Sequence, residues 1–433
     1  MTGEDPKSII DAGAMRLAQW VAVLVTVGLN ALDGFDVLSV SFASPGIARD
    51  WGIDKGTLGW VLSMELLGMA IGSLTLGPVA DKVGRRPTIL ACLIAMAAGM
   101  FGAGHSQSVA QLLPWRLLTG LGIGGTLAAI NAAAAELASR RWRNFALALM
   151  VIGYPLGGVV GGLFVQKLLA HASWHAVFTC GGWVTSAFLP LVWLLVPESV
   201  VFLDRRRAPG ALAEINRILT RLGHVPAATL SALPASERRS LGDIFRPALL
   251  ATTVIVTFAY FAHITSFYFL LKWVPKIVVD MGLTPQAAAG MLSFVSLGGA
   301  TGGALFGLLA TRIGLRPLTV VTLVCGAAML VRFGHGAADA ASLRGVLILC
   351  GFFTNAAIAG FYLLFAQVFP THVRATGTGF AIGVGRGGAA LGPVIAGYLF
   401  KAGFGLQPVA IVMACGSLLA AVALLGLRVR SGD

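Results

Sequence analysis

The sequence predicts an all-α integral membrane protein with twelve transmembrane helices, arranged as two pseudo-symmetric six-helix bundles. Of its 433 residues, 57% are hydrophobic and only 11% are charged, which is far from the composition of a soluble domain. Apolar runs of roughly 20 residues, the length that crosses a bilayer, recur along the whole chain. A motif of the first half also recurs in the second half, which indicates a duplicated unit.

Twelve apolar segments are predicted to span the membrane. They cover residues 20–46, 57–79, 87–105, 110–136, 145–168, 174–196, 248–272, 287–310, 317–335, 342–367, 376–400 and 406–427. The connections are short except for a stretch that holds the basic run 204–207 and many Pro, Ala and Ser residues. We therefore predict an N-terminal bundle (1–196), a cytoplasmic linker (197–247) and a C-terminal bundle (248–433).

The formal net charge of +13 does not indicate a nucleic-acid partner. The basic residues fall in short loops between apolar segments, where the positive-inside rule accounts for them. Most lie on one side of the membrane if the N- and C-termini are both cytoplasmic, and the basic linker 197–247 then lies there too. Residues 1–15 are expected to form a short, frayed cytoplasmic tail.

No pattern in the sequence indicates a cofactor, a metal site or an enzyme. The five cysteines lie within apolar segments, and none belongs to a CxxC pair or a His cluster. We find no nucleophile–base pair and no phosphate-binding loop. The energy for any transport is therefore expected to come from an ion gradient.

The two halves are related by a constant offset of 230 residues, which aligns the loop Gly77–Pro87 with residues 307–317. The same spacing superimposes four glycines on four others: Gly153, Gly157, Gly158 and Gly162 on Gly383, Gly387, Gly388 and Gly392. Halves repeated in this way hold substrate at their interface, near the middle of the membrane. The spacing also pairs Asp33 with His263, so both are expected to line the central cavity.

Asp33 and Asp36 lie in the middle of the first apolar segment. A carboxylate at that depth costs about 2.5–3.5 kcal/mol and is usually functional. Residues three apart share one helix face, and Gly34 between them lets another backbone approach closely. The pair is either a functional site or a structural pair satisfied by neighbouring helices. Desolvation favours a neutral carboxyl group, so either residue is suited to carrying a proton.

Arg386 lies in the middle of the eleventh segment, and a guanidinium there needs a partner. Its planar fork suits a substrate carboxylate, although a permanent ion pair with Asp33 or Asp36 is the alternative. His263 is either a substrate or proton-relay group or merely a hydrogen-bonded histidine. Glu65 is a third buried acid with a similar claim.

Recognition of a ring would need apolar walls and a few polar groups. The candidate contacts are Tyr154, Asn131, Tyr268, Asn355 and Tyr362. Lys272 and Trp273 end the seventh segment and are expected to be anchors at the outer interface.

The loop Gly77–Pro87 resembles the signature G-x-x-x-D-x-x-G-R-R/K of the major facilitator superfamily. That resemblance implies a gating role for Asp81 and Arg85 on the cytoplasmic side. Arg116 opens a segment similar to the superfamily motif R-x-x-x-G-x-G, which is linked to proton coupling; an arginine snorkelling to the outer interface is the alternative. Glu136 belongs either to the proton pathway or to a cytoplasmic charge network. The sequence Pro197-Glu-Ser is similar to one shared by sugar porters and organic-acid porters.

The run Asp33-Gly-Phe-Asp36 resembles the D-G-x-D motif of the aromatic acid:proton symporters. Trp51-Gly-Ile, Arg374-Ala-Thr-Gly and Gly385-Arg386 fit the same family. The resemblance implies a carrier that imports a hydroxybenzoate-like carboxylate with protons. It also implies that Asp33, Asp36, Arg116 and Glu136 couple protons, and that Asp81, Arg85 and Arg374 act in gating. The high Ala and Gly content and the preference for Arg over Lys suggest a GC-rich bacterium, which places the protein in the inner membrane, and a functional monomer is expected.

Other functions remain open at this point. A proton symporter for a dicarboxylate or a shikimate-like acid would need further cationic groups in the cavity. An efflux carrier is also compatible with the sequence, because the sequence does not state direction. A sugar porter is disfavoured because buried Arg386 suits an anion, and a membrane receptor is disfavoured because no signalling domain is attached.

Overall fold

The computed structural model describes residues 5–231, 241–336, 339–370 and 373–427. In these ranges the chain forms fifteen α-helices and one short 3₁₀ helix, Leu241–Phe245. The helices are α1 (Pro6–Ala12), α2 (Leu17–Trp51), α3 (Lys55–Val83), α4 (Arg85–Gly104), α5 (Val109–Leu137), α6 (Arg143–Leu168), α7 (His175–Leu195), α8 (Val200–Arg206), α9 (Ala211–Arg221), α10 (Pro247–Asp280), α11 (Pro285–Leu309), α12 (Leu315–Gly334), α13 (Ala340–Val368), α14 (Arg374–Lys401) and α15 (Leu406–Leu425).

Twelve of these helices, α2 to α7 and α10 to α15, are long and apolar enough to cross a membrane. This confirms the predicted number of spans. Several helices extend beyond the predicted segments, because hydropathy marks only the apolar part of a helix. The largest difference is at α10, which was predicted to end at residue 272 and continues to Asp280.

Polar caps begin equivalent helices in the two halves. Asp54 accepts hydrogen bonds from the backbone N–H groups of Gly56 (2.8 Å) and Thr57 (3.0 Å) at the start of α3. Thr284 occupies the equivalent position of the second half and accepts from the N–H of Ala287 at the start of α11. The hydrogen bond from the Thr57 N–H lowers the pKa of the Asp54 carboxyl group.

The predicted repeat appears in the packing. Helices α2 and α6 pack together in the first half, as α10 and α14 do in the second. A Cβ atom added to Gly157 would lie 1.8 Å from the carbonyl oxygen of Ala31, and one added to Gly388 would lie 2.5 Å from that of Phe261. Ala31 and Phe261 are equivalent positions of the repeat, whereas Gly157 is equivalent to Gly387. The close helix approach is therefore kept in both halves, but the glycine that permits it is shifted by one residue.

Residues 1–15 were expected to be a frayed tail, but α1 packs against α8. The residues that bury this contact include Ile9, Ile10, Phe202, Leu203, Ile215 and Leu219. We call α1, α8 and α9 together the cap, and the membrane face that carries it the cap side. Residues 1–4 and 428–433 lie outside the described residues, so the cytoplasmic location of the two chain ends stays a prediction.

His224, which follows α9, joins the cap to the first membrane helix. Its Nε2 lies 3.1 Å from Oε1 of Gln19. Burial, reinforced by the positive charge of Arg16, lowers the pKa of His224. The neutral imidazole is therefore the form that fits this contact.

The two bundles meet mainly on the face opposite the cap, which we call the far side. Two ion pairs join them there, Lys55 with Asp280 (3.1 Å) and Lys401 with Asp54 (3.5 Å). Further in, α6 packs on α11 and α3 on α14. Toward the cap side, a Cβ atom added to Gly303 or Gly307 of α11 would meet no atom within 4 Å.

Candidate functional site

Asp33 and Asp36 are both buried, with 1% and 0% of their surface exposed. Among the described residues, none of their four carboxylate oxygens has a hydrogen-bond partner. A buried carboxylate without a partner is expensive as an anion, so the protonated form is favoured in this arrangement. The structural alternative, a pair satisfied by neighbouring helices, is therefore not what the described contacts show.

The helix is held close to its neighbour at this point. A Cβ atom added to Gly34 would lie 2.1 Å from the carbonyl oxygen of Tyr154 on α6. This confirms that Gly34 permits a close backbone approach. The buried Tyr154 hydroxyl faces that of Tyr268 on α10. A tyrosine pair thus lies beside the two aspartates, whose own oxygens have no partner among the described residues.

Glu65 forms the centre of a buried ion cluster. Its Oε2 lies 2.5 Å from Nη2 of Arg116 and 3.3 Å from Nζ of Lys272, and all three side chains are 0% exposed. Arg116 also donates to the carbonyl oxygen of Asp36 at 3.2 Å. We call Glu65, Arg116 and Lys272 the buried triad. It lies directly against the helix that carries the two aspartates.

Two expectations are corrected by the triad. Arg116 does not snorkel to the outer interface, because its side chain is enclosed by Glu65, the Asp36 carbonyl and the ring of Phe178. Lys272 is not an interface anchor, because α10 continues for about two turns beyond it and buries it completely. Sequence reasoning missed Lys272 as a site residue. The residues that follow it up to Val279, all apolar except Lys276, were the signal that it lies inside the helix.

Arg386 lies on α14 and is only partly buried. Its Nη1 donates to the carbonyl oxygen of Met69 in the other half at 3.4 Å. Arg386 lies close enough to Asp33 for an electrostatic attraction, but it forms no ion pair in the part of the chain that the structure describes. The predicted alternative of a permanent pair with an aspartate is therefore absent here, and the guanidinium has donors available for another anion.

The aromatic and amide candidates surround different parts of the interior. Tyr362 is 44% exposed, and its hydroxyl lies 3.4 Å from that of Tyr260. Tyr268 is half-buried and lies near Tyr154. Asn131 and Asn355 each donate to a carbonyl oxygen of their own helix, at 2.7 and 3.2 Å. Asn131 is exposed and Asn355 is half-buried, and these bonds use only the Nδ2 groups of the two amides.

His263 lies apart from these groups, inside the second bundle. It is 0% exposed, and its ring nitrogens contact Ser417 Oγ and the carbonyl oxygen of Thr354, each at 3.0 Å. The carbonyl can only accept, so Nε2 donates and Nδ1 accepts. Both nitrogens are thus in use, and contact with a substrate would require one of these bonds to break.

The predicted gating residues lie together at the cap side. Nη1 of Arg85 is 2.5 Å from Oδ1 of Asp81, and its Nη2 is 3.5 Å from Oε1 of Glu136. Glu136 is therefore in a charge network with the loop before α4, away from the aspartates. Arg374 is at the same end, where its Nε donates to the carbonyl oxygen of Phe369 at 3.3 Å.

Glu198 completes the cap-side network, although sequence reasoning gave it no role. Its Oε1 accepts hydrogen bonds from the backbone N–H groups of Arg85 (2.9 Å), Arg86 (3.4 Å) and Ser199 (2.7 Å). It therefore caps the N-terminus of α4, where a negative charge is favoured. Burial raises the pKa of Glu198 and these hydrogen bonds oppose the rise.

Known proteins resemble the chain over nearly its whole length. The gallate transporter of Pseudomonas putida is 30% identical, over 97% of this chain and 94% of that protein. The 4-hydroxybenzoate transporter PcaK of Pseudomonas aeruginosa is 29% identical, over 98% and 96%. Among solved structures, the inward open conformation of the xylose transporter XylE from E. coli matches with a TM-score of 0.75 at 16% identity, over 96% of this chain and 98% of that one.

The match to XylE supports the fold alone, since the sequences are so different. The family assignment comes from residues 26–385, which match the Major Facilitator Superfamily as a whole. This range includes both aspartates, the buried triad and the cap-side network. The chain therefore belongs to the Major Facilitator Superfamily of membrane transporters.

Proposed function

We propose that this protein imports a small aromatic carboxylate together with protons across a bacterial inner membrane. The observation that carries the proposal is that acidic and basic groups of the site are both unpaired among the described residues. Two buried aspartates have no hydrogen-bond partner, and Arg386 has no carboxylate partner. A substrate carboxylate supplies the anion for Arg386. The aspartates supply carboxyl groups that can bind a proton and release it on the other side of the membrane. The two relatives are named as transporters of gallate and of 4-hydroxybenzoate, and both of these are small aromatic carboxylates.

The cap side is assigned to the cytoplasm, with both termini there. The cap carries Arg205, Arg206 and Arg207, and basic residues accumulate on the cytoplasmic side of membrane proteins. The far side, where the two bundles meet, is then the periplasmic side. In this orientation the protein is closed to the outside, which is the state from which substrate is released inward.

The transport cycle follows from the division into bundles 1–196 and 248–433, joined by the linker 197–247. Protons and the acid enter from the far side and reach Asp33 or Asp36 and Arg386. The bundles then rock, close the far side and expose the site to the cytoplasm. Arg116 acts on proton coupling by its positive charge, which its contact with the Asp36 carbonyl holds beside α2, and Glu136 acts at the cap-side end of the proton pathway.

The remaining candidates are assigned by position. Tyr154, Tyr268 and Tyr362 offer hydroxyls and ring faces to the aromatic ring, and Asn131 and Asn355 offer carbonyl oxygens to ring hydroxyls. Glu65 and His263 support the site through their existing contacts. Asp81, Arg85 and Arg374 control the cap-side opening. One chain contains every one of these groups, so the monomer is the proposed functional unit.

A dicarboxylate carrier is the second candidate, because Lys272 adds a buried cation that the sequence prediction did not count. Lys272 and Arg116 both contact Glu65, however. Of these three cations only Arg386 lacks a carboxylate within the described ranges, and a single available cation suits a monocarboxylate better.

The test is uptake of radiolabelled 4-hydroxybenzoate, gallate, benzoate and succinate into cells that express the protein, with and without a protonophore. Uptake of an aromatic acid that stops with the protonophore is expected. Arg386→Gln should abolish it, whereas Arg332→Gln, which removes an exposed arginine from α12 of the same half, should not. Asp33→Asn should stop accumulation but keep exchange of labelled for unlabelled acid. Uptake of succinate alone, or aromatic uptake unaffected by the protonophore, would contradict the proposal.

A further inference from the structure

Lys272 connects the two halves of the protein from inside. It belongs to α10 in the second half, and both of its partners belong to the first half. Its Nζ donates to the carbonyl oxygen of Val37 on α2 and lies 3.3 Å from Oε2 of Glu65 on α3. It is 0% exposed, so water does not compete for these contacts.

The other ion pairs between the halves are of a different kind. Lys55 with Asp280 and Lys401 with Asp54 lie on the rim of the far side, with about 36–54% of each side chain exposed. Exposed pairs contribute little to stability, because water and salt weaken their attraction. Water does not weaken the contacts of Lys272 in this way, because both side chains of its pair with Glu65 are 0% exposed and charges attract more strongly in a poorly solvated interior. Among these inter-half contacts, Lys272 is therefore the one with a strong dependence on the closed state.

Opening the far side requires α10 to move away from α2 and α3. The Arg116–Glu65 pair stays intact in this motion, since both residues belong to the first half. The bonds of Lys272 to Val37 and Glu65 cross the interface and must break. The ammonium then passes from two buried oxygen partners into the opening cavity.

We infer that Lys272 is a positioning residue that holds the far side closed, by bridging α10 to the Val37 carbonyl and to Glu65, and so sets the balance between the two orientations of the transporter. The inference rests on the proposed function only in that the bundles alternate; it does not depend on which acid is carried. A ligand or variant shifts such a balance by the difference in its interactions with the two states.

Lys272→Met is the sharpest perturbation. Methionine fills most of the same volume without a charge, and the variant leaves Glu65 paired with Arg116 at 2.5 Å. No buried charge is therefore stranded by the change. Lys272→Arg keeps the positive charge and serves as the conservative variant. Lys55→Met is the matched control, because it also removes a lysine that pairs across the halves, but from the exposed rim.

The far side can be monitored with a single reporter cysteine. Ser293 of α11 is 3% exposed and lies against Gly162 of α6, in the interface that opens. Ser293→Cys would be placed in a background with the five native cysteines replaced, since Cys415 is exposed. A membrane-impermeant thiol reagent, added outside intact cells, labels the reporter only when the far side is open.

Lys272→Met is expected to raise the labelling rate about tenfold or more, within the range usual for coupling between states. Lys55→Met should raise it no more than about threefold, and Lys272→Arg should stay near the parent. In transport, Lys272→Met should slow net uptake while leaving exchange at saturating substrate closer to normal. A variant that is merely damaged would lose both.

Labelling of Lys272→Met at the parental rate would overturn the inference. If that variant does not reach the membrane, Lys272→Gln removes the same charge, and unchanged labelling there has the same meaning. The readout separates this inference from the proposed function. Faster labelling in a protein that carries no aromatic acid would refute only the proposed substrate, whereas normal aromatic uptake with unchanged labelling would refute only the role of Lys272.

Discussion

Substitution of Gly34 by alanine tests the contact on which the aspartate site is built. The new Cβ atom would lie 2.1 Å from the Tyr154 carbonyl oxygen and 2.9 Å from the carbonyl carbon. Ordinary van der Waals contact begins near 3.4 Å, so α2 and α6 must separate locally until that distance is reached. The obstacle is backbone, which cannot rotate away as a side chain does.

The expected cost follows from two opposing effects. Overpacking of this kind destabilises by about 1–3 kcal/mol. Replacing glycine by alanine within a helix by itself raises the free energy of unfolding by roughly 0.5–1 kcal/mol. We expect a net loss of about 1 kcal/mol, and a melting midpoint lower by roughly 2–4 °C if each six-helix half melts as a unit of about 200 residues.

The assay is the fraction of tagged protein that remains monodisperse in detergent after heating. Gly303→Ala is the control, because a Cβ atom there meets no atom within 4 Å, so its midpoint should be unchanged or slightly higher. The shift of α2 would also displace Asp33 and Asp36, so uptake should fall even at low temperature. A midpoint for Gly34→Ala equal to or above that of Gly303→Ala would refute the reasoning.

Three further predictions concern the charged groups. Glu65→Gln leaves the buried cation of Arg116 without a carboxylate and should cost about 3–5 kcal/mol; the yield of folded protein after detergent extraction measures this, and a normal yield would contradict it. Because burial lowers the pKa of His224, its contribution to stability is present above pH 6.5, the ordinary value, and is lost as the pH falls. The protection factors of cap amides, which correct for the intrinsic pH dependence of hydrogen exchange, should therefore fall below pH 6.5 in the parent but not in His224→Gln. Glu198→Gln weakens the cap on the Arg85 N–H and should lower stability by about 0.5–1 kcal/mol, seen as a small drop in melting midpoint; no change would show that water replaces the bond.

The twelve helices could be predicted because the membrane imposes a simple rule on composition and length. The ends of helices were less predictable. Polar caps such as Asp54 and the extra turns of α10 depend on hydrogen bonding rather than on hydropathy. The docking of α1 was missed because its apolar residues are few and their partners lie far along the chain, in α8 and α9.

For the site, the sequence indicated which residues are costly in a membrane but not which of them meet. Asp33, Asp36, Glu65 and Arg386 stood out as charges in apolar runs. The contact of Glu65 with Lys272 spans 207 residues, and no local pattern encodes it. The pairing of Asp33 with His263 by the repeat also misled, because equivalent backbone positions have different neighbours. In the second half, the Thr354 carbonyl oxygen and the Ser417 hydroxyl are hydrogen-bonded to the two ring nitrogens of His263.

The two aspartates, whose carboxylates have no hydrogen-bond partner among the described residues, bear on how the membrane voltage acts on the carrier. A carboxylate that enters with one proton moves no net charge, and its accumulation then depends on the pH difference alone. If Asp33 and Asp36 each carry a proton, the same cycle moves one positive charge inward, and a potential of about 100 mV adds about 2.3 kcal/mol of driving force. If only one of the two carboxyl groups carries a proton, the transporter is electrically silent. If both do, the cell can drive it by polarising its membrane.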